Sequence, residues 1–162
     1  AGLLPLTPNT GQRALVTGFG LVTTKTLGAA IEAHGLAAQV LDTGFSPEPA
    51  QIAEAIAAAR QSDLVVVSTF NAWTPGATQV ELVDQLLATG KPVVVVAVGT
   101  PYDVAYLPAA PTFLAGLDYQ PPSLEAAVEA LFGDLDPSGR LPVTVRQPPP
   151  STAVLYPFGF GL

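Results

Sequence analysis

Two short stretches hold the side chains best suited to chemistry, "TFNAWTPGATQ" (69–79) and "VGTPYDVAY" (98–106). The first offers Asn71, Trp73 and Thr74: an amide, the sole tryptophan and a hydroxyl. An indole covers the C–H face of a sugar ring and an amide hydrogen-bonds its hydroxyls, so this set suits a carbohydrate. The same indole equally suits packing against a neighbouring domain. The second stretch offers Thr100, Tyr102 and Asp103. Thr100, Pro101 and Asp103 also fit the N-cap, first and third positions of a short helix. A third stretch, "TGFGLVTTKTLG" (17–28), sets Gly18 and Gly20 between a strand and a helix. Thr23 stands where a dinucleotide fingerprint wants its last glycine, and no Gly-Lys-Ser/Thr follows. A tight turn, with Thr23 or Thr24 capping the helix, competes with a phosphate-cradling loop.

The remaining polar groups suit structural work. His34, the only histidine, ends a predicted helix, where the dipole favours a cation. Asp134 and Asp136 precede "PSGRLP" and suit turn bonds to backbone N–H groups, with Arg140 anchoring that turn. One histidine rules out a His-rich metal centre. Zero cysteines rule out thiolate zinc sites, disulfides and a cysteine nucleophile, while leaving the compartment open. No metal and no cofactor is expected. The net charge of −7 and six scattered basic residues argue against nucleic acid and acidic membranes as partners. The longest apolar run, Val93–Val98, is far too short to cross a bilayer.

The elements that must position these loops are readable. A chain of 162 residues, 49% hydrophobic, fits one packed domain. Apolar runs at Ala14–Val16, Ala38–Leu41, Leu64–Val67 and Val93–Val98 predict strands, the last two covered on both faces. Thr112–Ala115 predicts a weaker fifth strand. Leu141–Val145 predicts a sixth, confined to an edge by Pro142.

Helical spacing appears between the strands. Leu27, Ala30, Ile31 and His34 share a face that Gly35 ends. Ile52, Ala55, Ile56 and Ala59 follow a Ser46 N-cap and Pro47. Thr78 and Glu81 have capping-box spacing ahead of Val80, Val83, Leu86 and Leu87. A last helix starts at Ser123, buries Leu124, Ala127, Val128, Leu131 and Phe132, and stops at Gly133. Alternating strands and helices give an α/β class with right-handed crossovers. "QPPP" (147–150) reads as an extended surface strap, and Tyr156, Phe158 and Phe160 alternate onto one face.

The tail "LFGDLDPSGRLPVTV" (131–145) with "YPFGFGL" (156–162), read beside "LLATGKPVVVVAVGTPYD" (86–103), resembles the C-terminal domain of glycoside hydrolase family 3. The wording is most similar to the β-N-acetylhexosaminidase branch, with Thr100 where the family's "NPYD" turn has asparagine. The resemblance implies a three-layer α/β/α sandwich around a flavodoxin-like, mostly parallel sheet. Its strand order would be 2-1-3-4-5 with the extra strand at one margin. Ligands of such sheets sit beyond the carboxyl ends of the strands, near the reversal of strand order. That crevice would lie between the loops at 18–24 and 69–77, with 99–103 next to it.

The resemblance implies a single domain over 1–162, with 1–12 as a linker-like entry and 146–162 as a C-terminal strap. "AGLLPLTPNTGQR" has no initiator Met and no leader, so the start is expected to be internal. The expected partner is an N-terminal catalytic barrel of the same enzyme, absent from these residues. In the glucosidase branch this domain supplies an acid/base glutamate, yet residues 68–80 contain no Asp or Glu. A retaining glycosidase needs two catalytic groups, about 5–5.5 Å apart when both are carboxylates. In the hexosaminidase branch the resemblance places these in the barrel, so no catalytic residue is expected here.

The whole enzyme would release terminal β-linked N-acetylhexosamine with retention. Asn71, Trp73, Thr74, Thr100, Tyr102 and Asp103 are then candidates for substrate or interdomain contact. Competing readings are a non-catalytic sugar-binding module and the C-terminal domain of a family 3 β-glucosidase. A phospho-receiver fails on residues, because Ser68, Thr69 and Phe70 stand where its aspartate would end the third strand. A flavodoxin would purify yellow.

Overall fold

A computed structural model describes residues 3–161. The elements run β1 (Arg13–Gly18), α1 (Leu21–Ala33), β2 (Ala37–Asp42), α2 (Pro49–Arg60), β3 (Leu64–Thr69), α3 (Gln79–Leu87), β4 (Val93–Ala97), α4 (Asp103–Tyr106), β5 (Phe113–Ala115), α5 (Pro121–Phe132), β6 (Val145–Arg146) and β7 (Val154–Tyr156). The main sheet has five parallel strands in the order β2-β1-β3-β4-β5. β1 lies between β2 and β3, so the strand order reverses there.

Valine dominates the central strands, and its branched side chain suits a pleated surface packed on both faces. Alternation then sends neighbours to opposite layers. Ala14, Val16, Val66, Val94 and Val96 meet Leu27 and Ile31 of α1 and Leu124, Val128 and Leu131 of α5. Leu15, Val65, Val67, Val93 and Val95 meet Ile52 and Ala55 of α2 and Leu82, Val83 and Leu86 of α3. The result is the expected α/β/α sandwich. The entry segment docks on it, with Leu6 buried and its N–H donating to Leu131 O at 2.8 Å. Among the described residues, no helix is long and apolar enough to cross a membrane.

Local details depart from the sequence reading where a stronger partner was at hand. The N-cap of α2 is Glu48, with Pro49 behind it and Glu48 N–H donating to Gln51 Oε1. Ser46 instead donates to Gly76 O. Thr78 makes no capping bond, because its hydroxyl is drawn to Pro47 O on the neighbouring loop. α3 buries Gln79, Leu82, Val83 and Leu86, while Val80 and Leu87 are only half-buried. α5 begins two residues before Ser123, at Pro121. Asp134 bonds His34 Nε2 at 3.0 Å rather than turn N–H groups, while His34 Nδ1 meets Ala30 O and the ring stacks on Phe132.

The tail differs most. Leu141–Val145 does not join the main sheet: Pro142 brings no N–H, and Leu141 is bonded through its N–H to Phe160 O and its carbonyl to Gly159 N. Only Val145–Arg146 is a strand, paired antiparallel with β7 in a separate two-stranded sheet. "QPPP" is the turn of that hairpin rather than a strap, closed by Ser151 N–H on Pro148 O and Gln147 N–H on Ala153 O. Arg140 reaches Gly159 O, so it anchors the tail instead of its own turn. Tyr156 and Phe160 share a face, their rings 4.9 Å apart, but Phe158 sits in a turn at Gly159 and is 73% exposed. The tail stands off β5 and leaves a cleft of about 330 Å³ between Phe113–Ala115 and Leu141, Tyr156 and Phe160.

Candidate functional site

The crevice at the strand reversal is filled. Phe19 and Phe70 stack with centroids 4.6 Å apart, and Tyr119 meets Phe70 edge-on at 5.9 Å. The glycines beneath serve a tight turn, with φ of 107° at Gly18 and 84° at Gly20. Phe19 N–H donates to Ser68 O, and Ser68 Oγ donates back to Thr17 O and Phe19 O. Gly20 itself caps α1, while Thr24 turns its hydroxyl to Gly20 O and Leu21 O, so neither Thr23 nor Thr24 is the N-cap. A phosphate cradle has no room under that aromatic pair.

The β3–α3 loop lies one step away and is pinned at its far end by Gln79. This side chain is fully buried. Its Oε1 accepts from Phe70 N–H at 2.9 Å, and its Nε2 donates to Phe45 O and Phe70 O at 2.9 and 3.0 Å. One amide thus ties together the loops after β2 and β3.

Four of the six candidate residues meet at one corner of this loop. Trp73 Nε1–H donates to Thr100 Oγ1 at 3.2 Å, and Thr100 Oγ1–H donates to Asn71 Oδ1 at 3.0 Å. Trp73 also meets Tyr102 edge-on at 6.3 Å. Asn71 holds a positive φ of 49°, a conformation asparagine tolerates better than most residues. Gly99 makes the approach possible, since a Cβ there would lie 2.9 Å from Phe70 and 3.1 Å from Asn71 Oδ1. Thr74 contributes backbone only: its N–H donates to Asn71 O and its carbonyl accepts from Ala77 N–H, making a turn. Trp73 is 39% exposed with its one polar atom already engaged, so it offers outsiders a carbon face.

Asp103 lies underneath, fully buried at the first position of α4, with Tyr102 rather than Thr100 as the N-cap. Thr69 Oγ1 and the N–H groups of Ala72 and Trp73 point at its carboxyl. None reaches good hydrogen-bond geometry, so Thr69 Oγ1 and both Asp103 oxygens are left unpaired. Burial therefore dominates and raises this carboxyl above its ordinary value, against weaker opposing pulls from Thr69, Ala72 and Trp73. Asp118, on the β5–α5 loop, shifts the other way, chiefly because Ser123 Oγ–H donates to it. It is held as a carboxylate, unsuited to giving up a proton.

Around this corner apolar side chains gather, among exposed Ser46, Glu48 and Gln120. Leu21, Val22, Phe45, Trp73, Leu117 and Tyr119 are all exposed at the carboxyl ends of the strands. The loops that follow the five strands of the main sheet (19–20, 43–48, 70–78, 98–102 and 116–120) carry no Lys or Arg, and their acids are Glu48 and Asp118. Sequence reasoning found the Trp73 corner but missed Gln79, Gly99 and the Phe19–Phe70 pair.

The corner makes a direct prediction. Thr100→Val removes the hydroxyl that links Trp73 to Asn71. Trp73 emission is expected to shift to the red as the indole loosens, while stability falls by about 1 kcal/mol, the usual net worth of such bonds. Unchanged emission would show that the hydrogen-bonded chain does not hold the indole.

The sequence matches the glycosyl hydrolase family 3 C-terminal domain over residues 1–162. No curated protein matches the chain. Among solved structures it is similar to a fungal multi-domain family 3 β-N-acetylglucosaminidase, at 26% identity and a TM-score of 0.75, covering 96% of this chain and 18% of that one. A family 3 β-N-acetylglucosaminidase from Paenibacillus sp. str. FPU-7 aligns at 22% identity and a TM-score of 0.69, over 80% of this chain and 26% of that one. A mutant β-glucosidase from Listeria innocua aligns at 21% identity and a TM-score of 0.74, over 99% and 30%. The chain thus spans less than a third of the length of these relatives. Fold, tail motifs and full-length match agree: the chain belongs to the glycosyl hydrolase family 3 C-terminal domains.

Proposed function

We propose that this chain is the accessory C-terminal domain of a retaining exo-β-N-acetylglucosaminidase, packed by its loop face onto an N-terminal catalytic barrel. The observation that carries this reading is the apolar ring of Leu21, Val22, Phe45, Trp73, Leu117 and Tyr119 around one end of the sheet. Exposed apolar residues gathered on one face mark a surface that a partner covers. The adjoining loop residues 68–80 carry no carboxylate, and Asp103 is sealed beneath them. A retaining mechanism with both groups in the barrel fits that composition. Asn71, Trp73, Thr74, Thr100 and Tyr102 then brace or roof the pocket rather than break the bond.

The test is turnover of a nitrophenyl N-acetyl-β-glucosaminide. The chain alone is expected to give none above background. The chain joined to its N-terminal catalytic domain is expected to hydrolyse it with retained anomeric configuration. Turnover by these 162 residues alone would place the catalytic groups here and overturn the reading.

A further inference from the structure

The most unusual group among the described residues is the buried carboxyl of Asp103, because none of them pairs with it. The one ion pair among the described residues is His34–Asp134, at the opposite end of α1. The segments around Asp103 carry no other charge: residues 64–80 and 92–102 contain no Asp, Glu, Lys or Arg. The titratable groups on its own turn are the phenols of Tyr102 and Tyr106. A fold seeking only stability would place an apolar side chain or a fully bonded amide here, since an unpaired buried carboxyl is costly.

What faces the carboxyl is the underside of the Trp73 loop, through the N–H groups of Ala72 and Trp73, together with the unpaired Thr69 hydroxyl. Two consecutive N–H groups aimed at one carboxyl form a small anion-accepting concavity. We propose that Asp103 is a positioning residue whose carboxylate draws in the Ala72 and Trp73 N–H groups and so sets the stance of the Trp73 indole on the loop face. Ionised, the carboxylate pulls both N–H groups and the Thr69 hydroxyl toward it, and the loop tightens. Protonated, it loses most of that pull and the indole loosens. The device goes beyond the glycosidase reading and does not depend on it.

Stability follows with a definite sign. The folded-state value lies above the ordinary 3.8, so the folded state holds the proton more firmly than the unfolded state. Below 3.8 the carboxyl is neutral in both states and burial costs nothing extra. As pH rises through the raised value, the domain loses stability. The tighter loop is therefore gained at the expense of global stability, a trade found at functional sites.

Because Trp73 is the only tryptophan, its emission reports the loop directly in the full chain. Wild-type emission is expected to move through a transition with its midpoint above 3.8. Asp103→Asn is expected to abolish that transition and to raise stability at neutral pH, with the gain vanishing below 3.8. A purely structural Asp103 would lose stability on this change and leave the emission profile alone. Thr69→Val removes a hydroxyl that favours the ionised form, so it is expected to shift the midpoint upward. If Asp103→Asn fails to fold, judged by far-UV circular dichroism, Thr69→Val decides: an upward shift supports the proposal and no shift overturns it. A wild-type profile without a transition, or one shared with Asp103→Asn, also overturns it. Activity enters none of these readouts, so failure here leaves the accessory-domain reading intact.

Discussion

Replacing Gly18 by alanine is expected to leave little folded protein. The residue ends β1 at a φ of 107°, outside the regions an L side chain tolerates. That conformation alone costs about 1–3 kcal/mol once a Cβ is present. The larger cost is steric. An added Cβ would collide with the Ser68 carbonyl oxygen and lie 2.8 Å from Ser68 N. These are backbone atoms of β3, held in register opposite Gly18, with Phe19 N–H bonded to the same Ser68 oxygen. Neither strand can yield without opening the central pairing of the sheet. The summed loss is expected to exceed about 4 kcal/mol, a large part of a domain's usual 5–15. Gly20→Ala is the control. Its Cβ would meet only Thr23, with Oγ1 at 3.1 Å and Cβ at 3.5 Å, so what remains is the backbone strain of φ 84° and ψ 123°, about 1–3 kcal/mol. Urea unfolding of the two variants checks the contrast. A Gly18→Ala protein within about 1 kcal/mol of wild type would mean the β1–β3 junction is far softer than its geometry.

Gly18 also illustrates what was legible beforehand. The "GFG" pattern after a strand announces a turn, and that reading needed only the two glycines and the failed fingerprint around them. The valine runs and glycine stops announced the alternating α/β class in the same way, because period and punctuation are local signals, whereas the sandwich and its strand order came with the family resemblance. The Trp73 corner was legible by residue type, as a lone indole beside amides and hydroxyls. The gathering of Trp73, Thr100 and Asn71 into one hydrogen-bonded chain was not, since it joins residues 29 positions apart.

The misses share a cause. Ser46, Thr78 and Asp134 all have the right chemistry for their expected local bonds, and each found a distant partner instead, in Gly76, Pro47 and His34. Local side-chain bonds are worth about 1 kcal/mol, so a tertiary contact readily outbids them. The tail failed for another reason. Alternation of Tyr156, Phe158 and Phe160 presumes an extended chain, and Gly159 at a φ of 78° turns it. Asp103 shows the opposite error, a helix-start residue that burial converts into the strangest group in the domain.

Gln79 was missed although a signal existed. Gln79, Leu82, Val83 and Leu86 form an i, i+3, i+4, i+7 stripe, the spacing of a buried face, and a glutamine on such a stripe must find partners inside. Substituting it should therefore be costly in a particular way. Gln79→Leu keeps the size and the apolar burial of the position. It leaves Phe70 N–H, Phe70 O and Phe45 O without their partner. Unsatisfied backbone groups cost about 1–3 kcal/mol each, and water can relieve part of that near the surface, so a total loss of about 3–5 kcal/mol is expected.

The loss should also be local in its first signs. Phe45 and Phe70 head the loops that carry the exposed face, so Trp73 emission is expected to shift red and the 70–78 segment to become open to protease at denaturant concentrations that leave the core folded. Gln79→Glu separates the acceptor from the donor role. It can still accept from Phe70 N–H but turns a buried negative charge toward two carbonyl oxygens. It is expected to be worse than Gln79→Leu at neutral pH and to recover below the carboxyl's own titration, when an O–H again donates to one carbonyl. Were both variants as stable as wild type with native Trp73 emission, the two loops would have to be held by something other than this amide, and the apolar face they present would not depend on Gln79.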